Sequence, residues 1–351
     1  MLNISRQITG CVGGEGALFE VDGNPNLVYK KYHDNIKINP AMQQRILKKL
    51  DYMADMGLKT NMDDCFAWPI EVAFDNNALD GFSMRKLKFN IKLNDIYETL
   101  KYQYRFHIVV ARNLCTLVNQ LHRNNVVIGD FNHGNVGVYD GTSIVSMMDC
   151  DSFHLASGSH YCGVCMEGYA APELLRTLRQ LNTLDFTRAA ESGIQTFTVQ
   201  TDFFALAVHI FRLLMRGIPP HNGTNKNVMK SVSAVAAGNQ PIEEDNYVFR
   251  AGFVPFAPEC PPEFVLPDEI VNLFRQAFLE YSQQGRPDPL TWIAALERYE
   301  TEIKQCTNNS LHQYYNRLSN CPWCEMDERS RLFHRNGVQR NNLPAFRVKR
   351  I

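Results

Sequence analysis

The sequence has almost no net charge and no long uninterrupted hydrophobic run. Lys and Arg number 36 and Asp and Glu number 37, which gives a formal net charge of -1 at pH 7. This balance supplies no electrostatic field for general binding to nucleic acid or to a membrane surface. The longest apolar run, DFFALAVHIFRLLM, contains His209 and Arg212 and is shorter than the roughly 20 residues that span a bilayer. We therefore expect neither nucleic acid nor a membrane among the binding partners.

A secretory signal is also missing, because MLNISRQITG has neither a basic start nor an apolar core. The cytoplasm is therefore the expected location, and there the 10 cysteines should be thiols or metal ligands rather than disulfides. We find no internal repeat and no low-complexity segment. With 351 residues, 45% of them hydrophobic, the chain can bury a sizeable core in one large or two ordinary domains.

The first part of the chain, to about residue 87, predicts strands and one helix. GALFEVD and NLVYKKY alternate or run apolar on either side of DGNPN, which favours a hairpin with Gly23 and Pro25 in its loop. Asn39 followed by Pro40 is typical of a helix start and Gly57 of a helix end, so we expect one helix between them. A long amphipathic helix, YRFHIVVARNLCTLVNQLHR, comes later, and helical patterns dominate from residue 170 to about 303.

Oxygen-bearing side chains gather at the edges of two short apolar runs in VVIGDFNHGNVGVYDGTSIVSMMDCDSF, residues 126 to 153. NVGVYDGTSIVSMMD predicts a hairpin in which Asn135 begins one strand and Asp149 ends the next, and Asp130 lies in the loop that leads in. These oxygens can meet in one cleft, where they would suit Mg²⁺ and leave a carboxylate to accept a hydroxyl proton. The simpler interpretation is that each is a turn residue, because Asp and Asn favour turns.

Residue types that contact phosphates precede this region. TGCVGGEGALFEV places Gly13, Gly14 and Gly16 before a strand, and glycines let backbone amides approach a phosphate closely. A tight hairpin would explain the same glycines. Lys30, 14 residues after Gly16, ends an apolar strand where its ammonium would reach phosphate oxygens. Downstream, EGYAAPELL precedes helices and Asp202 begins an otherwise hydrophobic helix.

In this order the motifs resemble those of the protein kinase fold, over about residues 6 to 300. The resemblance implies an α+β fold with two lobes, a small β-rich N-lobe with one helix at 6–87 and a larger helical C-lobe at 88–303. A C-terminal Cys/His-rich element and a basic tail would follow at 304–351. The resemblance also implies a protein serine/threonine kinase that uses ATP and Mg²⁺ to phosphorylate protein hydroxyls.

The resemblance assigns catalytic and metal-binding roles to individual residues. In the loop IGDFNHGN, Asp130 would be the base, and the other catalytic residues would be Lys30, Asn135 and Asp149. Mg²⁺ would be bound by Asn135 and by an aspartate of MMDCDSF. Asp149 lies closer to the usual distance from Asn135, whereas Asp151 begins DSF, which mimics the familiar triplet. Either of the two could be the main metal ligand.

Nucleotide-binding and structural roles follow in the same way. Met84 would be the gatekeeper, next to the hinge that meets adenine. The full set of implied nucleotide-binding residues is Gly13, Gly14, Gly16, Lys30, Met84, Arg85, Lys86 and Leu87. Glu173 of YAAPE would pair with Arg286, and Asp202 would brace the catalytic loop.

GDF, DCDSF and a terminal CPWC narrow the resemblance to bacterial eukaryotic-like kinases that are often encoded beside a metal-dependent phosphatase and a von Willebrand A-domain protein. Such a phosphatase, such an A-domain protein and protein substrates are the partners that this implies. Gly129 stands where an arginine usually precedes the catalytic aspartate, so a phosphate on the activation segment has no partner there. The same GD pairing resembles aminoglycoside-type kinases, which keeps a small-molecule phosphotransferase as an alternative function.

Two further departures favour a pseudokinase, that is, a nucleotide-binding interaction module. No glutamate lies between residues 20 and 71, so the predicted helix lacks the usual partner of Lys30. The candidates to replace it are Gln43, Gln44 and Asp51. Asn132 stands where protein-hydroxyl kinases usually have a lysine, and the loss of that charge would slow phosphate transfer.

Four metal-binding side chains lie close together in CTNNSLHQYYNRLSNCPWC, namely Cys306, His312, Cys321 and Cys324. Thiolates and imidazole are the ligands of tetrahedral zinc, and a two-residue gap lets both sulfurs of a turn reach one ion. We expect a structural Zn²⁺, because four protein ligands leave no open position. Packed thiols and a surface histidine are the alternative.

Cys162 and Cys165 form another closely spaced pair, for which simple packing, a zinc site and a redox switch are alternatives. The basic end of the chain, RSRLFHRNGVQRNNLPAFRVKRI, is expected to be a solvated tail, with partner docking as the alternative.

Overall fold

The computed structural model describes residues 4–99, 101–155, 157, 160–181, 186–221, 223–225, 246–279, 285–339 and 342–351. Strands dominate the N-terminal region and helices the C-terminal region. This mixed arrangement is compatible with a kinase-like fold. In the described ranges, no helix is both long enough and apolar enough to cross a membrane.

An antiparallel sheet of five strands forms the N-terminal region. Its strands are β1 (Ile4–Val12), β2 (Gly16–Val21), β3 (Leu27–Tyr32), β4 (Pro69–Asp75) and β5 (Ala78–Arg85). They are ordered β1-β2-β3-β5-β4, and the predicted hairpin of β2 and β3 is confirmed. Gly16 packs so closely against β3 that a Cβ there would lie 2.4 Å from the carbonyl oxygen of Lys31, so only glycine fits.

Two helices follow β3, the short α1 (Asp34–Lys37) and the predicted helix, α2 (Pro40–Met56). The side-chain oxygen of Asn39 accepts a backbone N–H of the first turn at 3.1 Å, and Gly57 ends α2 with a φ of +55°. Leu50 and Met53 are fully buried, and α2 packs against β4 and β5. Both predicted ends of this helix are therefore confirmed.

Helices build most of the C-terminal region. They are α3 (Leu93–Glu98), α4 (Tyr104–Arg123), α5 (Pro172–Leu181), α6 (Phe186–Glu191), α7 (Val199–Leu214), α8 (Asp268–Phe278), α9 (Pro289–Thr301) and α10 (Pro322–Ser330). Most residues of α7 are buried, and α4, which packs against α7 and α9, is the predicted amphipathic helix. A reciprocal capping box of Thr198 and Thr201 begins α7. The core of this region therefore forms around α7.

Short strands complete the fold, namely β6 (Ile91–Lys92), β7 (Val136–Tyr139), β8 (Ile144–Met147), β9 (Gly223–Asn225), β10 (Phe253–Pro255), β11 (Ile303–Gln305) and β12 (Gln313–Tyr315). β7 and β8 are the predicted hairpin and form a sheet with β6, while β9 pairs with β10 and β11 with β12. The prediction of helices over 170–303 missed β9 and β10, because strands of 3 residues are too short to show alternation. Within that range, residues 182–185, 222, 226–245 and 280–284 lie outside the described residues.

The last residues of the basic end contact the fold, although most of its described residues are exposed, so the predicted solvated tail is attached near its end. Val348 is buried, and Arg350 donates to the Leu266 carbonyl at 2.7 Å and pairs with Asp268 at 2.5 Å. An isolated antiparallel bridge joins Leu318 to Arg350. Basic side chains do not prevent packing here, because their stems lie along the surface and their charged ends reach oxygens.

Candidate active site

Lys30 on β3 meets two carboxylates that follow β8. Its Nζ donates to Asp149 Oδ1 at 2.8 Å and to Asp151 Oδ2 at 2.7 Å. These contacts join residues that are 119 and 121 positions apart in the sequence. They therefore connect the N-terminal sheet to the C-terminal region, and clefts at such junctions are common ligand sites.

The two carboxylates differ in exposure and in backbone conformation. The side chain of Asp151 is 6% exposed, whereas that of Asp149 is 41% exposed. Asp149 also has a φ of 55° and a ψ of 37°. This left-handed conformation is uncommon for residues other than glycine, and such residues cluster at functional sites. Asp149 is therefore the carboxylate open to a ligand, and Asp151 is enclosed.

The charges of these three side chains depend on one another. Burial alone would lower the pKa of Lys30, but the Asp151 and Asp149 carboxylates raise that pKa above its usual range, so Lys30 stays protonated. Burial would raise the pKa of Asp151, but Lys30 brings it below its usual value. Partial burial and the Asp151 charge raise the pKa of Asp149. Of the two acids, Asp149 is therefore the one whose charged form is disfavoured.

The loop that carries Asp130 lies beside the end of β8. Asn135 Nδ2 donates to the backbone oxygen of Asp130 at 3.2 Å. The Met148 N–H donates to the backbone oxygen of Asn135 at 2.8 Å, which brings Asn135 next to the segment that carries Asp149. Asp130 Oδ1 accepts the Met166 N–H at 3.0 Å. The structure thus brings Asp130, Asn135 and Asp149 into one neighbourhood.

Asp202 holds the start of this loop. Its side chain is 1% exposed, and Oδ2 accepts the Ile128 N–H at 2.8 Å while Oδ1 accepts the Gly129 N–H at 3.1 Å. His122 Nε2 lies 2.8 Å from the same Oδ2. Asp202 therefore contacts the loop as the resemblance implies, and His122 is a partner that the sequence analysis missed.

Gly129 sits where both the backbone and its neighbours require glycine. Its φ is +78°, and a Cβ there would lie 2.8 Å from Cys162 Cβ and 2.9 Å from Cys162 Sγ. Cys162 is buried and its thiol contacts the Val164 carbonyl at 3.1 Å. In the described part of the chain, no third metal ligand joins Cys162 and Cys165. Packing against Gly129 is the role that the structure gives to Cys162.

Two other predicted positions form structural contacts. Asn132 is 6% exposed, and its Oδ1 accepts the Gly134 N–H at 2.8 Å, so this side chain shapes the turn. Glu173 Oε2 accepts from Arg286 Nη2 at 3.0 Å, and the arginine side chain is 2% exposed. Arg286 also donates to the Gln200 carbonyl at 3.0 Å, which ties α5 to α7.

The glycine-rich stretch forms the turn between β1 and β2. The Gly13 N–H donates to the Gly16 carbonyl at 2.9 Å, and a Cβ on Gly14 would meet no atom within 4 Å. Glu15 Oε2 lies 3.7 Å from Lys30 Nζ. Partial burial raises the pKa of Glu15, and the Lys30 charge opposes that increase. The Glu15 carboxylate therefore faces the ammonium that a phosphate would approach.

The predicted hinge follows the buried Met84 at the end of β5. Arg85 extends outward and forms surface ion pairs. The Lys86 N–H donates to the Asn26 carbonyl at 2.8 Å, so this amide is already bonded within the protein. Leu87 is partly buried against the core. Of the backbone groups predicted to meet adenine, the amide of Lys86 is therefore not available.

The candidates on α2 for a partner of Lys30 point elsewhere. Gln43 Oε1 accepts the Leu79 N–H at 3.1 Å, and Gln44 and Asp51 are exposed. The α2 side chain that approaches the acids is Lys49. Burial lowers the pKa of Lys49, while the nearby charges of Cys162, Asp151 and Glu15 raise it. The helical pattern identifies a face of α2, but it does not show which side chain of that face enters the site.

The sequence analysis also overlooked Tyr32, whose hydroxyl donates to Asp151 Oδ2 at 3.2 Å. A signal for it was available, because side chains two apart on a strand share a face and Lys30 precedes Tyr32 by two. Glu15 and Lys49 carried no such signal.

A Cys/His cluster lies near the end of the chain, and the ligand atoms of Cys306, His312, Cys321 and Cys324 are all within 4.8 Å of one another. The sulfurs of Cys306 and Cys324 are 3.6 Å apart. His312 Nδ1 lies 3.4 Å from Cys324 Sγ and 3.7 Å from Cys321 Sγ. A zinc–sulfur bond of about 2.3 Å puts the corners of a tetrahedron about 3.8 Å apart, so the donors and their spacing fit Zn²⁺.

The second imidazole nitrogen of His312 also has a partner. His312 Nε2 lies 3.3 Å from Asp327 Oδ2, and Asp327 Oδ1 accepts from Arg216 at 3.1 Å. A carboxylate in this position fixes the orientation of an imidazole that binds metal. Because Arg216 follows α7, the cluster is linked to the core of the C-terminal region.

No protein-family model matches the chain. Two curated proteins that are both named protein kinase YegI, from Escherichia coli O157:H7 and Escherichia coli strain K12, are each 28% identical to it over 342 residues. The match covers 92% of this chain and 48% of each relative, so the chain spans about half the length of these relatives. The protein is therefore kinase-like in sequence over most of its length.

Proposed function

We propose that this protein is an ATP- and Mg²⁺-dependent protein serine/threonine kinase that transfers the γ-phosphate to protein hydroxyls. The observation that carries the proposal is the group in which Lys30 pairs with Asp149 and Asp151. It lies beside the loop that holds Asp130 and Asn135. In this proposal, residues 6–87 form the N-lobe and residues 88–303 the C-lobe.

Lys30 and Asp149 would have different roles in nucleotide binding, Lys30 at the phosphates and Asp149 at the metal ion. Lys30 keeps its charge and would bind phosphate oxygens, with the backbone of Gly13, Gly14 and Gly16 covering them. Asp149 and the Asn135 amide oxygen would hold Mg²⁺, since both side chains offer oxygen ligands and both residues are partly exposed. Bound Mg²⁺ would neutralise charge on the phosphates.

Asp130 would orient the acceptor hydroxyl and take its proton. Its Oδ1 is fixed by the Met166 N–H at 3.0 Å, so Oδ2 would face the acceptor. Catalysis would then rest mainly on positioning and on electrostatic stabilisation. The contact of Glu173 with Arg286 and the bracing by Asp202 also support a protein substrate over a small molecule, because the resemblance associates them with protein kinases.

The C-terminal element at 304–351 would hold a structural Zn²⁺ through Cys306, His312, Cys321 and Cys324, because their spacing fits a closed tetrahedral site. Protein substrates, a metal-dependent phosphatase and a von Willebrand A-domain protein stay the predicted partners. The cytoplasm stays the predicted location.

A pseudokinase is the second candidate function. Glu15 supports it, because a carboxylate 3.7 Å from Lys30 opposes an incoming phosphate. Such a protein would bind nucleotide and present a surface to partners without transferring phosphate.

The deciding experiment is transfer of label from γ-labelled ATP with Mg²⁺ to generic protein acceptors. We expect label on Ser or Thr and a loss of about 10²- to 10⁴-fold in Asp130→Asn, because the acceptor loses its general base. Asp22→Asn, in the exposed turn between β2 and β3, is the matched control and should be fully active. Measurable ATP binding without any transfer would contradict the kinase and favour the pseudokinase.

A further inference from the structure

Lys30 needs a permanent negative partner, because an ammonium that is mostly buried is costly without one. Its side chain is only 10% exposed. α2 carries no glutamate, Gln43 of that helix bonds to the Leu79 N–H, and Gln44 and Asp51 are exposed. The partner must therefore come from another element.

Asp151 has the geometry of such a partner. Its Oδ2 lies 2.7 Å from Lys30 Nζ, and its side chain is 6% exposed. The Tyr32 hydroxyl donates to the same oxygen at 3.2 Å. Lys30 and Tyr32 lie two residues apart on β3, so their side chains share one face of the sheet. β3 therefore contributes both an ion pair and a hydrogen bond to Asp151.

Asp149 differs on each of these points. It also contacts Lys30, at 2.8 Å, but its side chain is 41% exposed and its contact can be exchanged for a cation. Asp149 is adjacent to the Asn135 backbone through Met148, whereas Asp151 is enclosed against β3. The two acids therefore separate into one that is open to solvent and one that is enclosed against the sheet.

We infer that Asp151 is not a metal ligand but the fixed counter-ion of Lys30, a positioning residue that takes the place of the absent helix glutamate and orients the ammonium toward the nucleotide phosphates. This inference rests on the proposed function and deepens it. In this inference the residue that positions Lys30 lies in the segment after β8. The position of Lys30 therefore does not depend on a movement of α2.

The test compares Asp151→Asn with Asp149→Asn in the full chain, by steady-state kinetics at varied ATP and Mg²⁺. For Asp151→Asn we expect kcat/KM for ATP to fall by about a hundredfold while the Mg²⁺ concentration for half-maximal rate stays unchanged. For Asp149→Asn we expect that Mg²⁺ requirement to rise. A similar rise in Asp151→Asn would overturn the inference.

Tyr32→Phe keeps the test decisive if Asp151→Asn does not fold. This variant removes one hydrogen bond to Asp151 and leaves no charge unpaired, so a few-fold lower kcat/KM with an unchanged Mg²⁺ requirement is expected. An unchanged kcat/KM in a folded Tyr32→Phe protein would count against a positioning role.

A second readout separates this inference from the proposed function. Acetylation of Lys30 by an amine-reactive ester, followed by mass spectrometry, needs no enzymatic activity. We expect Lys30 to react faster in Asp151→Asn than in the wild type or in Asp149→Asn, because its enclosed partner is gone. If the wild type transfers no phosphate, the proposed function fails. The role of Asp151 is refuted separately, if Lys30 is acetylated at equal rates in the wild type and in Asp151→Asn.

Discussion

Two enclosed carboxylates, Asp80 and Asp151, pair with lysines in the N-terminal region, and each pair connects different elements. Asp80 on β5 pairs with Lys37 of α1 at 2.5 Å and accepts the Tyr29 hydroxyl at 2.8 Å. Asp151 pairs with Lys30 at 2.7 Å. The Asp80 pair joins α1 to β5, so it stabilises the packing of that helix on the sheet. The Asp151 pair joins the sheet to the C-terminal region, so it positions Lys30 in the candidate active site.

The Asp80 pair predicts a pH dependence of stability. Burial would raise the pKa of Asp80, but hydrogen bonds from Lys37 and Tyr29 lower it below its usual value. Such an acid stabilises the fold fully above its unfolded pKa of about 3.9, and this contribution is lost as the pH falls through the lower folded value. We expect Asp80→Asn to lower the unfolding free energy by about 1–3 kcal/mol at pH 7.

Urea denaturation at several pH values checks this expectation. The difference between wild type and Asp80→Asn should narrow as the pH falls below about 3.9. Asp75→Asn, at the exposed end of β4, is the control and should change stability little. A difference that stays constant down to pH 3 would show that the ion pair is not its source.

Among the elements, α2 and the two hairpins could be predicted from the sequence, while the residues that surround Lys30 could not. The ends of α2 depend on Asn39, Pro40 and Gly57, whose effects are local. The partner of Lys30 is a contact across 121 residues, and no local rule chooses Asp151 over α2 for it. Local sequence signals therefore give the positions of elements along the chain, and the fold decides which side chains meet.

The turn between β1 and β2 leads to a prediction about nucleotide affinity. Glu15 lies 3.7 Å from Lys30, and its side chain is 52% exposed. A bound phosphate must compete with this carboxylate, so we expect Glu15→Gln to bind ATP about two- to fivefold more tightly. Calorimetric titration measures the effect, which should shrink as salt is added.

The matched control for this turn is Glu20→Gln on β2. Glu20 pairs with Arg6 at 3.5 Å on the exposed part of the sheet, so its loss should leave ATP affinity unchanged. Weaker binding by Glu15→Gln would instead mean that Glu15 assists the nucleotide.

Within the whole molecule, the C-terminal element at 304–351 contacts several helices of the C-terminal region. The Tyr104 N–H, at the start of α4, donates to the Leu311 carbonyl at 3.2 Å. Arg216 after α7 reaches Asp327 at 3.1 Å, and Arg350 pairs with the first residue of α8. Elements that are distant in the sequence therefore depend on one small Cys/His-rich unit.

Loss of metal from this unit should destabilise the whole C-terminal region. We expect about one Zn²⁺ per chain, and its loss in a Cys321→Ser, Cys324→Ser double variant should lower the unfolding free energy by at least about 3 kcal/mol. Elemental analysis and thermal denaturation measure the two effects. Cys11→Ser, outside the cluster, should keep both the metal and the stability. A fully folded, equally stable metal-free protein would refute the site.

Gly129 has an evolutionary consequence. An arginine at this position would have to adopt a φ of +78° and would drive its Cβ to 2.8 Å from Cys162 Cβ. A smaller residue at 162 would relieve the clash but not the backbone strain. Placing a phosphate-binding arginine here would therefore need changes in two segments of the chain, at position 129 with its backbone and at position 162. A single substitution of Gly129 does not provide it.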